Sequence, residues 1–118
     1  MRNPKTATVA EIATHWRLTP DTVRKILKDA NLRPASTSPE RYRWTDVWSF
    51  EGAGWVAPSD ERAFKAPLKK VTELGGFFPN VPPRTITDQA SKKKVPAIRL
   101  GSDWRFREIT LERWRDHG

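Results

Sequence analysis

Two runs of the chain carry the same chemistry: Thr19, Thr22, Arg24, Lys25 and Lys28 in the first half, and Arg84, Thr85, Thr87, Lys92 and Lys93 in the second. Short hydroxyl side chains alternate with long cations at spacings that gather them on one face of a helix. Hydroxyls reach base edges at close range, while guanidinium and ammonium groups reach either base edges or phosphates. Such a face suits the major groove of double-stranded DNA. Two further sets place cations beside aromatics at a period of two. Arg41 and Arg43 flank Tyr42 and Trp44; Arg99, Arg105 and Arg107 accompany Trp104 and Phe106, with Ser102 at the turn between. Period two is a strand signature, so the cations fall in one row and the aromatics in the other, with the cationic row available to a DNA backbone or minor groove.

The elements that must position these groups are legible around them. Thr8 caps a helix over about 9–16, with Glu11 completing a capping box and Val9, Ile12, Ala13 and Trp16 on its inner face. Arg17-Leu18 makes a short turn. Thr19 caps a second helix with Pro20 at its first position and Val23, Ile26 and Leu27 facing inward. This reads as helix-turn-helix. Ala35 to Glu40 has turn chemistry, Arg41 to Trp44 forms a strand with Tyr42 and Trp44 inward, and Thr45 caps a third helix, Asp46 to Glu51.

The same order recurs. Val9-Ala10-Glu11-Ile12 is echoed by Val71-Thr72-Glu73-Leu74 at an offset of 62, Pro20 by Pro83 at 63, and Val47 by Leu111 at 64. One small unit with minor loop insertions therefore occurs twice. In the second copy a helix lies within Leu68 to Phe78, shortened by Gly75, Gly76 and Pro79, and Pro82-Pro83 starts the next. Ala97 to Leu100 and Trp104 to Arg107 form a hairpin around Gly101-Ser102-Asp103, with Ile98, Leu100, Trp104 and Phe106 in one row unless a bulge moves Trp104. Thr110 caps a last helix from Leu111. The expected fold class is α+β, mainly helical: two tandem modules, 1–51 and 67–118, joined by a Gly-, Ala- and Pro-rich linker, 52–66, onto which Trp55 and Phe64 could dock.

Composition narrows the partner. The chain has 118 residues, and 22 Lys and Arg oppose 14 Asp and Glu for a net charge of +8. Residues 1–51 hold 9 basic and 6 acidic groups, 52–66 hold 2 and 2, and 67–118 hold 11 and 6. Both modules thus call for a polyanion, and the absence of a spanning or signal segment favours nucleic acid in the cytoplasm, at the nucleoid, over a membrane. Zero Cys excludes disulfides and thiolate chemistry. His15 and His117 have no ligand-spaced partners, and HExxH, GxxxxGK[ST] and GxSxG do not occur, so neither catalysis, metal nor cofactor is expected. The Trp residues are read as core, apart from Trp55 and Trp104. Lys92, Lys93 and Lys94 also complement a helix dipole, and for them phosphate contact is favoured over base reading.

The stretch Val95 to Glu108 followed by Leu111-Glu112-Arg113-Trp114 resembles the wing and closing helix of excisionase-type winged-helix proteins. Val9 to Ala13, Leu18 to Arg24 and Arg41 to Trp44 resemble the DNA-binding head of the mercury-resistance-regulator superfamily, to which excisionases are structurally related. Gly75-Gly76-Phe77-Phe78-Pro79 departs from the usual first helix, and nothing corresponds to that superfamily's dimerisation helix or effector domain. The resemblance implies a winged helix whose second helix enters the major groove while the wing grips the neighbouring backbone, often bending the duplex. The expected function is sequence-specific DNA binding of phage or mobile-element type, as excisionase or transcription regulator. Expected partners are duplex DNA, a recombinase or the transcription machinery, and further copies of the chain bound cooperatively. The alternative is a winged-helix module that binds and inhibits another regulator.

Overall fold

The computed structural model describes residues 5–117, the side chain of the last excepted; residues 1–4 and 118, the outer ends of the two expected modules, lie outside the described residues. The chain is α+β and mainly helical, with small antiparallel sheets. It divides into two units, Met1–Pro67 and Leu68–Gly118.

The first unit begins with strand β1 (Thr6–Thr8), which runs directly into helix α1 (Val9–Trp16). Thr8 ends the strand and caps the helix: its hydroxyl accepts from Glu11 N at 3.1 Å, and its own N–H donates to Glu11 Oε1 at 3.0 Å. Arg17, at φ 58°, closes α1, and after Leu18 comes helix α2 (Pro20–Asp29). The expected span of α1 and the expected start of α2 hold, as do their inner faces: Val9, Ile12, Ala13, Trp16, Val23, Ile26 and Leu27 are all buried. Strands β2 (Ser36–Thr37) and β3 (Glu40–Arg43) then form a hairpin, and β1 adds to its other side in the order β1-β3-β2, pairing Ala7 with Tyr42. Three residues are too few for an alternation to announce a strand; β1 exists because β3 offers it a free edge.

Helix α3 (Trp44–Phe50) starts two residues earlier than expected and ends one earlier, and Thr45 is not its cap: Arg43 takes that position without a side-chain hydrogen bond. The reason is that Trp44 N still bonds Lys5 O at 2.9 Å, so the sheet pairing runs up to the helix without a turn for Thr45 to nucleate. The segment 52–66 is not a free linker. Gly52, at φ 97°, ends α3 with its N–H on Ser49 O and the next N–H on Trp48 O, and a short 3-10 turn (Pro58–Asp60) leads into helix α4 (Glu61–Lys65). Phe64 is buried, its ring meets Trp48 edge-on at 6.2 Å, and its carbonyl accepts from Trp48 Nε1 at 3.1 Å. An aromatic ring and a satisfied indole N–H therefore bind this stretch into the first unit, and the division falls after Pro67. Trp55 does not dock; it is 79% exposed.

A buried polar cluster locks the first unit. Glu51 Oε2 accepts from His15 Nε2 at 2.7 Å and from Trp16 Nε1 at 2.6 Å, while His15 Nδ1 faces Ala66 O at 2.7 Å and Lys65 O at 3.1 Å. Through its two ring nitrogens the imidazole thus bridges α1 to the ends of α3 and α4.

The second unit repeats the order with one subtraction. Lys69 bridges Phe106 as Ala7 pairs with Tyr42, and Lys70 N donates to Glu73 Oε1 at 2.7 Å as Thr8 N does to Glu11. Leu74 is fully buried, like Ile12. Yet no α-helix forms within 68–78: only a 3-10 turn, Val71–Glu73, is present. Gly75 and Gly76 disfavour helix and Pro79 removes a donor. Instead the chain folds over Leu74, whose carbonyl accepts from Phe77 N and Phe78 N, and both rings pack on the core of Leu74, Ile86, Ala90, Val95, Phe106 and Leu111. Helix α5 (Pro83–Ser91), strands β4 (Ile98–Leu100) and β5 (Asp103–Arg105), and helix α6 (Glu108–His117) complete the unit. Helix α6 starts before Leu111, so Thr110 lies inside its first turn rather than capping it.

Helices α2 and α5 end alike. Asn31 N bonds Lys28 O and Leu32 N bonds Leu27 O, with Asn31 at φ 60°; Lys93 N bonds Ala90 O and Lys94 N bonds Gln89 O, with Lys93 at φ 61°. Both are Schellman ends, but Lys bears a left-handed strain that Asn tolerates and Gly lacks. Lys93→Gly is expected to raise stability by about 0.5–1 kcal/mol in urea unfolding. Conversely, Glu51→Ala strands two buried donors and is expected to cost about 3–5 kcal/mol in the same measurement.

Candidate nucleic-acid interface

Helix α2 carries its inner face as a strip of Val23, Ile26 and Leu27, which turns Arg24, Lys25 and Lys28 to solvent. Thr22 is half-buried. The Thr19 hydroxyl, expected at the interface, is spent on the helix: it accepts from Thr22 N at 3.3 Å and lies 2.9 Å from the Thr22 hydroxyl. Arg24 pairs with Asp21 at 3.1 Å, but both are largely exposed, and such an i,i+3 pair exchanges readily for another anion. Arg24 and Lys28 line a cleft facing β3, whereas Lys25, one residue on from Arg24, is displaced around the helix from it. The cations expected to form one face are thereby divided into two.

The wing of the first unit is likewise differentiated. Arg43 is exposed, and it borders a second cleft, of about 330 Å³, lined also by Trp44 and Trp48. Arg41 is half-buried and committed: Nε donates to Thr6 Oγ1 at 2.8 Å, and Nη2 reaches Thr6 O at 3.2 Å and Glu11 Oε1 at 3.4 Å. It ties the hairpin to β1 and the start of α1. Tyr42 is buried as expected, and its hydroxyl donates to Glu40. Burial first, then this hydrogen bond and the Glu40 charge, pushes the phenol up to about 12, against the opposing charge of Arg24.

In the second unit Arg84 and Thr85 are exposed at the start of α5, and Lys92, Lys93 and Lys94 at its end. Thr87 is half-buried and its hydroxyl donates to Arg84 O at 2.9 Å; Lys92 pairs with Asp88 at 3.1 Å. The hairpin register corrects the expected rows. Ile98 opposes Arg105, and Arg99 opposes Trp104, so Arg105 shares a face with the buried Ile98 and Leu100 while Trp104 shares the other with Arg99, half-buried and still packed against the core of the unit. Arg105 and Arg107 are each only 6% exposed, which removes both from the expected contact set. The remaining wing cation is well held: the Arg99 guanidinium lies 4.8 Å from the Trp104 ring centroid and its Nε donates to Gly101 O at 2.9 Å. Ser102, beside it at the turn, is exposed.

The sequence did not reveal the His15-Glu51-Trp16 cluster, since partners 35 and 36 residues apart leave no local signal. Among the described residues no group of three His, Asp or Glu side chains could hold a metal ion, and no helix is long and apolar enough to cross a membrane.

Because Tyr42 is the only tyrosine, its titration can be read directly by ultraviolet absorbance. The folded value lies above the unfolded 10, so Tyr42 stabilises the fold below pH 10 and this contribution fades between pH 10 and about 12. Glu40→Gln is expected to bring the ionisation down toward 10; an unchanged curve would show that the Glu40 contribution is negligible.

No protein-family model, curated protein or solved structure matches the chain.

Proposed function

We propose that the chain is a sequence-specific double-stranded-DNA-binding protein of phage or mobile-element type. In this reading two winged helix-turn-helix modules lie in tandem and serve as an excisionase, a transcription regulator or both. The observation that carries the reading is the arrangement of the first unit: α2 follows α1 after a three-residue connection, buries one apolar face, exposes Arg24, Lys25 and Lys28, and is followed by a hairpin bearing the exposed Arg43. In this arrangement α2 enters the major groove, where Thr22 and Lys25 read base edges near its N-terminal half and Arg24 and Lys28 hold the flanking backbone. Arg43 and Arg99 extend the grip from the two hairpins, and Arg84, Thr85 and the Lys92 to Lys94 run supply contacts from α5.

Two modules on one chain read two sites in direct rather than palindromic order, and engaging both bends the duplex. The bound complex also presents a surface to a recombinase or to the transcription machinery. Trp55 favours a second reading, a module that binds and inhibits another regulator, because a single large apolar side chain at 79% exposure is the kind of anchor that protein interfaces use.

Selection of the full chain against a random duplex library tests the first reading. Enrichment of one short direct-repeat site is expected, with Lys25→Ala weakening it by about 1–3 kcal/mol. A site beside an attachment sequence assigns excision, and one at a promoter assigns regulation. Binding that shows no sequence preference, or none at all at moderate salt, overturns the proposal.

A further inference from the structure

The left-handed turn at Asn31 swings the chain after α2 back toward the hairpin, and a cleft of about 320 Å³ opens between them. Arg24 and Lys28 line it from α2, Arg33 from the returning chain, and Tyr42 and Glu40 from β3. Three cations thus converge on one concavity against a single carboxylate. That carboxylate is itself engaged, since it accepts the Tyr42 hydroxyl. Tyr42 is buried, so β3 supplies a fixed wall, whereas Arg24, Lys28 and Arg33 are exposed, and Arg24 can exchange its exposed partner Asp21 for an incoming anion. The excess of positive charge selects an anion, and guanidinium groups match the oxygens of a phosphoryl group in paired hydrogen bonds.

We infer that this cleft seats one phosphoryl group, with Arg33 as the residue that closes over it. Arg33 belongs neither to the groove-facing helix nor to the hairpin, so its role is separate from base reading. The phosphoryl group comes either from the backbone strand that flanks α2 or from a free phosphate ester. In the first case the inference rests on the DNA-binding reading above, and in the second it does not. Glu40 opposes the anion at the far wall and sets the affinity from that side.

The experiment compares the full chain with Arg33→Ala, Arg33→Lys and Glu40→Gln. It measures the salt dependence of affinity for a random-sequence duplex and, separately, calorimetric binding of pyrophosphate. Backbone seating is expected to show as an Arg33→Ala loss of about tenfold for the duplex, with the slope of log affinity against log salt reduced by about one. Arg33→Lys is expected to restore part of the loss, and Glu40→Gln to tighten binding. Pyrophosphate binding that disappears in Arg33→Ala assigns a free phosphate ester instead, and does so even if the chain binds no duplex, in which case the DNA reading falls and the cleft stands. Duplex binding with an unaltered slope in Arg33→Ala, together with no pyrophosphate binding, overturns the cleft and leaves the DNA reading intact. Binding of neither probe overturns both.

Discussion

The carboxylate of Glu51 is the point on which the first unit turns. A buried charge is tolerable only when its lone pairs are taken up, and here an imidazole and an indole from one helix converge on the end of another. The far side of the same imidazole takes up the carbonyls of residues 65 and 66, so one side chain fixes the closing segment as well. Trp44 meets His15 edge-on at 5.2 Å and stacks on Trp48 at 5.8 Å, which surrounds the polar cluster with aromatic mass and keeps water away from it. The position of α2, and therefore of every cation on it, follows from that arrangement because α1 carries both His15 and Trp16 and leads straight into the turn.

What the sequence revealed was local. Caps, the proline at the start of α2 and the spacing of Val23, Ile26 and Leu27 all act within one turn of helix, and these boundaries were legible. What it hid was non-local. The strand β1 depends on an edge offered by residues some 35 positions later, and a segment rich in Gly, Ala and Pro looked like a tether because the groups that hold it, Trp48 and His15, lie far upstream. The candidate site was half legible for the same reason. Periodicity located the cations, but a strand register decides which of them point outward, and an exchange at Trp104 moved Arg105 from the surface to the interior.

The two units show how much of a small fold can be subtracted. Pairing of the leading segment with the Arg-aromatic strand, the backbone contact to Glu11 or Glu73, and the left-handed ends of α2 and α5 all recur. The first helix does not, and Phe77 and Phe78 occupy the core in its place. The helix was thus dispensable as a helix but not as a source of apolar volume, in keeping with the need of interiors for filled space rather than for any one backbone shape.

The stacked Arg99 on the second hairpin has a consequence for the cost of contact. A free arginine surrenders up to about 2 kcal/mol of rotamer freedom when it is immobilised against a ligand. With its guanidinium over Trp104 and its Nε on the Gly101 carbonyl, Arg99 has already surrendered much of that freedom on folding. A rigid charge of this kind engages an anion with a smaller entropic loss than a mobile one, and it does so from a single direction, which makes the hairpin sensitive to the orientation of what it meets.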